Sequence, residues 1–174
     1  MQALLFILNA LFTLVVVAFL LRVIMPLVRA DFRNPFGEAV LKVTNPLVLP
    51  LRRVLPPARR LDPASIVALL LVQFAKTALL MLVAGGGFHL ATVLVGGTLG
   101  LAVLVVQFYF YAVLIYALMS WFAGAAYNPA GQVLARICEP LLAPIRRVVP
   151  PLGGLDLSAL FLMIGLQALL MLLR

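Results

Sequence analysis

The chain contains very few of the residues on which most enzymes rely for chemistry. Its 174 residues include one His, one Cys and five acidic residues. A lone cysteine, Cys138, excludes an intrachain disulfide and is typical of a small buried apolar residue. A single histidine, His89, leaves no metal-ligand spacing, and no glycine-rich phosphate loop is followed by Lys. We therefore expect neither an enzyme nor a metal site nor a bound cofactor.

Acidic residues are also scarce relative to basic ones, since 13 Lys and Arg leave a net charge of +8. Such a charge can indicate nucleic-acid binding, but here the basic residues lie beside long apolar runs. That arrangement is typical of membrane topology and of attraction to anionic lipid headgroups. We expect a bilayer with anionic headgroups as a partner, and no nucleic acid.

Apolar residues are in large excess, at 66% of the chain with a mean hydropathy of +1.22. A helix needs about 20 apolar residues to cross a hydrocarbon core of about 30 Å. The first apolar run lacks the basic start and small-residue cleavage site of a signal peptide, so we expect it to be a span. The predicted spans cover residues 3–25, 64–84, 99–122 and 157–173.

The chain repeats itself after 94 residues. The stretch 46–57 aligns without a gap with 140–151, and both have the pattern Pro-x-x-x-Pro-x-Arg-Arg-x-x-Pro-Pro. We interpret the chain as one membrane domain with repeats at 7–80 and 101–174 and a linker at 81–100. The predicted fold is an all-α membrane protein whose four spans form two parallel helix-loop-helix repeats, related by a pseudo-two-fold axis along the membrane normal.

Lysine and arginine predict the orientation. Residues 26–63 and 123–156 contain basic residues, whereas 85–98 contain none. Basic loops stay in the cytoplasm, so we expect both long loops there and both termini outside a plasma (inner) membrane.

Each long loop begins with a helix signal. Asn34 before Pro35, and Asn128 before Pro129, are typical of an N-cap followed by Pro at the first helical position. Apolar residues then recur at helical spacing, which predicts a short amphipathic helix that lies in the membrane interface or packs beneath the bundle. We expect a proline to end each helix and a stiff, partly extended segment to follow. The prolines concerned are Pro46, Pro50, Pro56 and Pro57, and Pro140, Pro144, Pro150 and Pro151.

Two arginine pairs lie in these segments, Arg52 with Arg53 and Arg146 with Arg147. A guanidinium fork suits phosphate or carboxylate, so two interpretations are open: the pairs hold lipid headgroups, or they bind a partner. Asp62 and Asp156 are expected to cap the helices that follow, which is compatible with a salt bridge to an arginine pair.

Five of the polar residues within the predicted spans are singled out as candidate site residues. Thr13, Gln73, Gln107 and Gln167 stand at similar depth, one in each span, and interhelical hydrogen bonding is favoured over a substrate site. Lys76 has Leu170 as its counterpart 94 residues later. It either extends to a headgroup or meets water, a haem propionate or a partner's acidic group.

The doubled Asn-Pro and proline-arginine motifs, each followed by Leu-Asp before a span, resemble the YggT family of small bacterial membrane proteins and their chloroplast relatives. The resemblance covers nearly the whole chain. It implies a plasma-membrane protein linked to osmotic stress tolerance and ion homeostasis, or, as in the chloroplast relatives, to haem attachment during cytochrome b6f assembly. The second copy departs from the first where Gly153 and Gly154 replace Arg59 and Arg60, so the two halves need not act alike.

Two hypotheses of function follow. In the first, the chain is a non-enzymatic scaffold or assembly factor whose proline-arginine loops dock another membrane protein, or a further copy of itself. In the second, it is a pathway for a small solute or a potassium-type ion along the pseudo-two-fold axis. The first is favoured, because the spans offer amides and a hydroxyl rather than the charged, broken helices that transporters keep at the midplane.

Overall fold

The computed structural model describes residues 1–30, 34–56, 62–120, 129–147 and 157–173. Within these ranges the regular elements are all helices, as the sequence predicts. They are α1 (Gln2–Leu27), α2 (Pro35–Arg52), α3 (Pro63–Val83), α4 (Leu90–Ser120), α5 (Pro129–Arg146) and α6 (Leu157–Leu172). Asn128, Pro57, Pro150, Pro151 and Asp156 lie outside the described residues, so the predictions made for them are left as they stand.

Three of the helices, α1, α3 and α4, are long and apolar enough to cross a membrane. The fourth predicted span corresponds to α6, which is apolar but has 16 residues. At 1.5 Å per residue that is roughly 24 Å, short of a core of about 30 Å. The four-span arrangement therefore stays a prediction.

The third predicted span begins earlier than expected, because α4 begins at Leu90 rather than at residue 99, while the division into repeats and a linker at 81–100 stays a prediction. A short turn joins α3 to α4, and Gly85 adopts a left-handed φ of 81° there, which glycine tolerates best. Further glycines do not interrupt α4, since α3 packs directly against them. A Cβ atom on Gly97 would lie 2.4 Å from Cδ1 of Phe74.

The prediction that a proline ends each amphipathic helix is wrong. Pro46 and Pro50 lie inside α2, and Pro140 and Pro144 lie inside α5. The two prolines of each helix are four residues apart and exposed. The backbone hydrogen bonds that they remove are therefore lost on the outer side of the helix. The opposite side is packed: Val48 in α2 and Leu142 in α5 are fully buried. Pro56 lies beyond α2, exposed and outside regular structure.

The amphipathic helices pack on the long ones. α2 contacts α1 and α3, α5 contacts α4 and α6, and α3 lies against α4 to join the two sets. A smaller contact links α1 to α5, where Arg136 Nη1 donates to the carbonyl of Arg29. The arginine pairs are thus held at the ends of packed helices rather than in a partly extended loop.

Candidate functional site

The candidate site begins with a buried arginine that the sequence analysis missed. Arg22 in α1 is 2% exposed. Its Nε donates to Ser65 Oγ in α3 at 3.1 Å, and its Nη1 donates to Thr44 Oγ1 at 2.6 Å and to Asn45 Oδ1 at 2.8 Å in α2. One side chain therefore ties three helices together. A charged residue inside a membrane span usually marks a functional site, so the position of Arg22 within the first predicted span could have identified it.

Asp62 extends this network to the first arginine pair. Its Oδ2 accepts from Arg52 Nε at 3.1 Å, from Arg52 Nη2 at 2.6 Å and from Ser65 Oγ. Ser65 thus accepts from Arg22 and donates to Asp62. The chain Arg22–Ser65–Asp62–Arg52 forms a continuous polar network between α1, α3 and the end of α2, which we call the Arg22 network.

Asp62 stands at the N-cap position of α3, but its side chain makes no capping hydrogen bond. The expected cap is replaced by the salt bridge to Arg52. Burial by itself raises the Asp62 pKa, but the hydrogen bonds from Arg52 and Ser65 outweigh it, and the pKa is lowered. Asp62 is therefore ionised at neutral pH and serves as the counterion of the network. Asn34, in contrast, caps α2 as predicted: its Oδ1 accepts from the Gly37 amide at 2.8 Å.

A different set of side chains surrounds the second arginine pair. Arg146 pairs with Glu139 Oε2 through Nη1 at 3.0 Å, donates to the Tyr116 hydroxyl through Nη2 at 3.1 Å and lies 5.9 Å from the Tyr116 ring centre. Tyr116, Glu139 and Arg146 stand 94 residues after Arg22, Asn45 and Arg52. This cluster is more open, since the Glu139 side chain is 56% exposed whereas that of Asp62 is 10% exposed.

Each arginine pair is divided between two environments. Arg52 and Arg146 are bonded to acidic side chains of the same chain, whereas Arg53 and Arg147 are exposed. No salt bridge joins Arg53 or Arg147 to another of the described residues. The sequence predicted one role for all four arginines, whereas in the structure one arginine of each pair is bonded within the chain and the other is exposed.

The polar residues within the long helices fall into three groups rather than one. Lys76 Nζ donates to Thr13 Oγ1 at 2.7 Å, which joins α3 to α1. Gln73 Nε2 donates to the Gly97 carbonyl at 3.1 Å, which joins α3 to α4. Gln107 and Gln167 line a separate cavity between α4 and α6. Thr13 is a hydrogen-bond partner of Lys76 that was not predicted from the sequence.

No group of three or more His, Cys, Asp or Glu in the described part of the chain is placed to hold a metal ion. Cys138 is buried in an apolar cluster against which Tyr116 packs, and burial raises the pKa of its thiol to about 12. The thiol is neutral at physiological pH, as suits a packing residue.

Long apolar helices with two amphipathic helices packed on them define a small all-helical protein of the membrane type. The chain belongs to the CCB3/YggT family, whose model matches residues 1–83 and 95–174. The membership that the sequence motifs indicate is thereby confirmed.

Bacterial relatives match nearly the whole chain. An uncharacterised protein of Pseudomonas aeruginosa is 39% identical over 98% of this chain and 87% of its own length. An uncharacterised protein of Vibrio alginolyticus is 37% identical over 96% of this chain and 91% of its own. The uncharacterised protein YggT of Escherichia coli K12 is 35% identical over 97% and 88%. No solved structure matches the chain.

Proposed function

We propose that the chain is a non-enzymatic membrane scaffold or assembly factor that docks a membrane partner through Arg53 and Arg147. The division of each arginine pair carries this proposal. Arg52 and Arg146 hold the ends of α2 and α5 by salt bridges at 2.6 and 3.0 Å, so their neighbours are presented from ordered positions. Because their backbone is ordered, Arg53 and Arg147 lose less conformational freedom on binding a carboxylate than arginines on a mobile loop would.

The proposed partner is a membrane protein with acidic residues near the bilayer surface. Arg22 bonds to Ser65 and Thr13 bonds to Lys76, so α3 is antiparallel to α1. Gln73 lies beside Gly100 and Thr77 beside Gly96, which gives the same relation to α4. The ends of α1 and α4 that lead to α2 and α5 would therefore share one side. The bond from Arg136 to the Arg29 carbonyl supports this placement. Both exposed arginines would then face one partner surface, with anionic headgroups around them. A role in osmotic stress tolerance or in cytochrome maturation, as the family resemblance implies, is compatible with such a factor.

The remaining parts of the proposal concern topology. We place the chain in the plasma membrane with four spans as two parallel repeats, both termini outside and the helices α2 and α5 on the cytoplasmic side. The two stretches that match the family model begin 94 residues apart, which supports the duplication. A transport pathway has less support, because Lys76 and Gln73 are bonded to neighbouring helices.

Replacing both exposed arginines with Gln is expected to reduce partner capture at least tenfold, because each charge-assisted hydrogen bond contributes about 1.5–3 kcal/mol. The measurement is crosslinking in native membranes followed by identification of the captured proteins. Arg53→Gln with Arg147→Gln should leave thermal stability unchanged.

The matched control is Arg52→Gln with Arg146→Gln, which removes the same charge but acts on salt bridges within the chain. It should lower stability. Capture that survives the loss of Arg53 and Arg147 would contradict the proposal. Reduced binding to anionic vesicles without any loss of a protein crosslink would show that the arginines serve lipid headgroups instead.

Cysteine labelling from outside the cell tests the proposed topology. A membrane-impermeant maleimide should label a cysteine placed at His89 in intact cells, and should not label one placed at the exposed Lys42 until the membrane is opened. Native Cys138 should stay unlabelled, because it is buried and its pKa of about 12 leaves little thiolate at neutral pH. Labelling at Lys42 rather than at His89 would reverse the proposed orientation.

A further inference from the structure

The two pairs of long helices satisfy their polar side chains differently. Between α1 and α3, Lys76 Nζ donates to Thr13 Oγ1 at 2.7 Å. The residues 94 positions later are Leu170 in α6 and Gln107 in α4. Leucine carries no donor, so nothing in α6 repeats the bond that Lys76 makes.

A cavity of about 170 Å³ lies at this place between α4 and α6. A water molecule takes up about 30 Å³ in the liquid, so the cavity has room for the end of a polar side chain. Neither Gln107 nor Gln167 has a side-chain hydrogen bond to another of the described residues. The lining consists of Gln107, Phe110, Tyr111, Gln167, Leu170 and Met171.

The cavity opens on the outer surface of the helix pair rather than into the core. Gln167 is exposed, Tyr111 is 58% exposed and Met171 is 72% exposed. Beside it lies a wider apolar depression that includes Ile164 and Ala168. On a membrane helix this surface faces lipid, where an amide finds no hydrogen-bond partner. An unbonded amide at such a place favours association with another polar helix surface.

We propose that this α4–α6 groove is the interface with a second copy of the chain. A glutamine amide carries both donors and acceptors, so the same surface can bind itself about a two-fold axis. Two copies inserted with the same orientation place their Gln167 side chains at equal depth. Each Gln167 then enters the other copy's cavity beside Gln107, and the apolar depressions cover each other.

Disulfide crosslinking in native membranes tests the location of the interface. A cysteine at Ala168, in the groove, should give a covalent dimer at twice the 18.8 kDa chain mass. A cysteine at Leu14 serves as the matched control, since it is 68% exposed but lies on α1. Crosslinking from Leu14 and not from Ala168, or crosslinking from Ala168 only to a different protein, would overturn the proposal.

The polar contacts are tested by the dimer fraction in liposomes, measured by energy transfer at a series of protein-to-lipid ratios. Gln107→Leu with Gln167→Leu should weaken association on the order of tenfold, because about 0.6 kcal/mol is lost at each of two symmetric contacts. Leu170→Lys should weaken it similarly, since the introduced ammonium can donate to Gln107 within the same chain, as Lys76 donates to Thr13. Leu170→Met is the control and should leave the dimer intact. A wild-type chain that stays monomeric at all ratios, or folded glutamine variants that dimerise as well as the wild type, would overturn the proposal.

Discussion

Replacing Asp62 with Asn is expected to destabilise the protein by about 3 kcal/mol, the lower end of the cost of breaking a buried ion pair, because the Asp62 side chain is 10% exposed whereas that of Arg52 is 37% exposed. Asp62 is the carboxylate bonded to Arg52, and it reaches buried Arg22 through Ser65. Without it, two guanidinium groups remain close together and uncompensated. For a chain of this length, 1 kcal/mol corresponds to roughly 2–4 °C, so the melting temperature in detergent should fall on the order of 10 °C.

The second half supplies the matched control for this prediction. Glu139→Gln removes the carboxylate that pairs with Arg146, but the Glu139 side chain is 56% exposed. Exposed salt bridges contribute about 0–1 kcal/mol, so this change should hardly alter the melting temperature. Adding Arg22→Met to Asp62→Asn should restore part of the lost stability, because one of the uncompensated charges is removed. Equal effects of Asp62→Asn and Glu139→Gln would show that the Arg22 network is not a stabilising unit.

Adding one methyl group at either of two helix glycines should produce effects of opposite sign. In Gly97→Ala the new Cβ would lie 2.4 Å from the Phe74 ring, so either the ring or the packing of α3 on α4 must shift. Overpacking of this kind costs about 1–3 kcal/mol. In Gly165→Ala the new Cβ meets nothing within 4 Å, and alanine favours a helix over glycine by about 1 kcal/mol.

Thermal unfolding of both variants in the same detergent measures this difference. Phe74→Leu should rescue Gly97→Ala, since it removes the ring atoms that the methyl group meets. Gly96→Ala adds a matched control in the same helix, because its Cβ would lie at an ordinary distance of 3.7 Å from Thr77. If Gly97→Ala and Gly96→Ala had the same melting temperature, the close packing of α3 on α4 would be contradicted.

Features that depend on a few neighbouring residues were predictable. The helical class follows from apolar runs of membrane length, and the start of α2 follows from Asn34 before Pro35, because a cap is formed by atoms three residues apart. The positions of the arginine pairs along the chain are also a local property, whereas their attachment to helix ends was not predicted. The family membership rests on the same short motifs.

Predictions failed where a local preference was opposed by packing. Proline disfavours a helix interior, yet α2 and α5 continue through their prolines since the opposite faces are buried. Glycine weakens a helix, yet α4 continues through Gly97 because α3 lies against it. In both cases contacts with residues far along the chain outweigh a local cost of about 1–3 kcal/mol.

The sequence by itself determined that this protein is helical, apolar enough for a membrane, and equipped with arginine pairs at regular spacing. Hydropathy and capping act over one helix or less, so a linear pattern records them. The tertiary structure alone decided that Arg22 is buried among three helices, and that Arg52 is paired while Arg53 is exposed. Those outcomes depend on which donors and acceptors of α1, α2 and α3 meet, and burial makes every unmet hydrogen bond costly enough to select one arrangement.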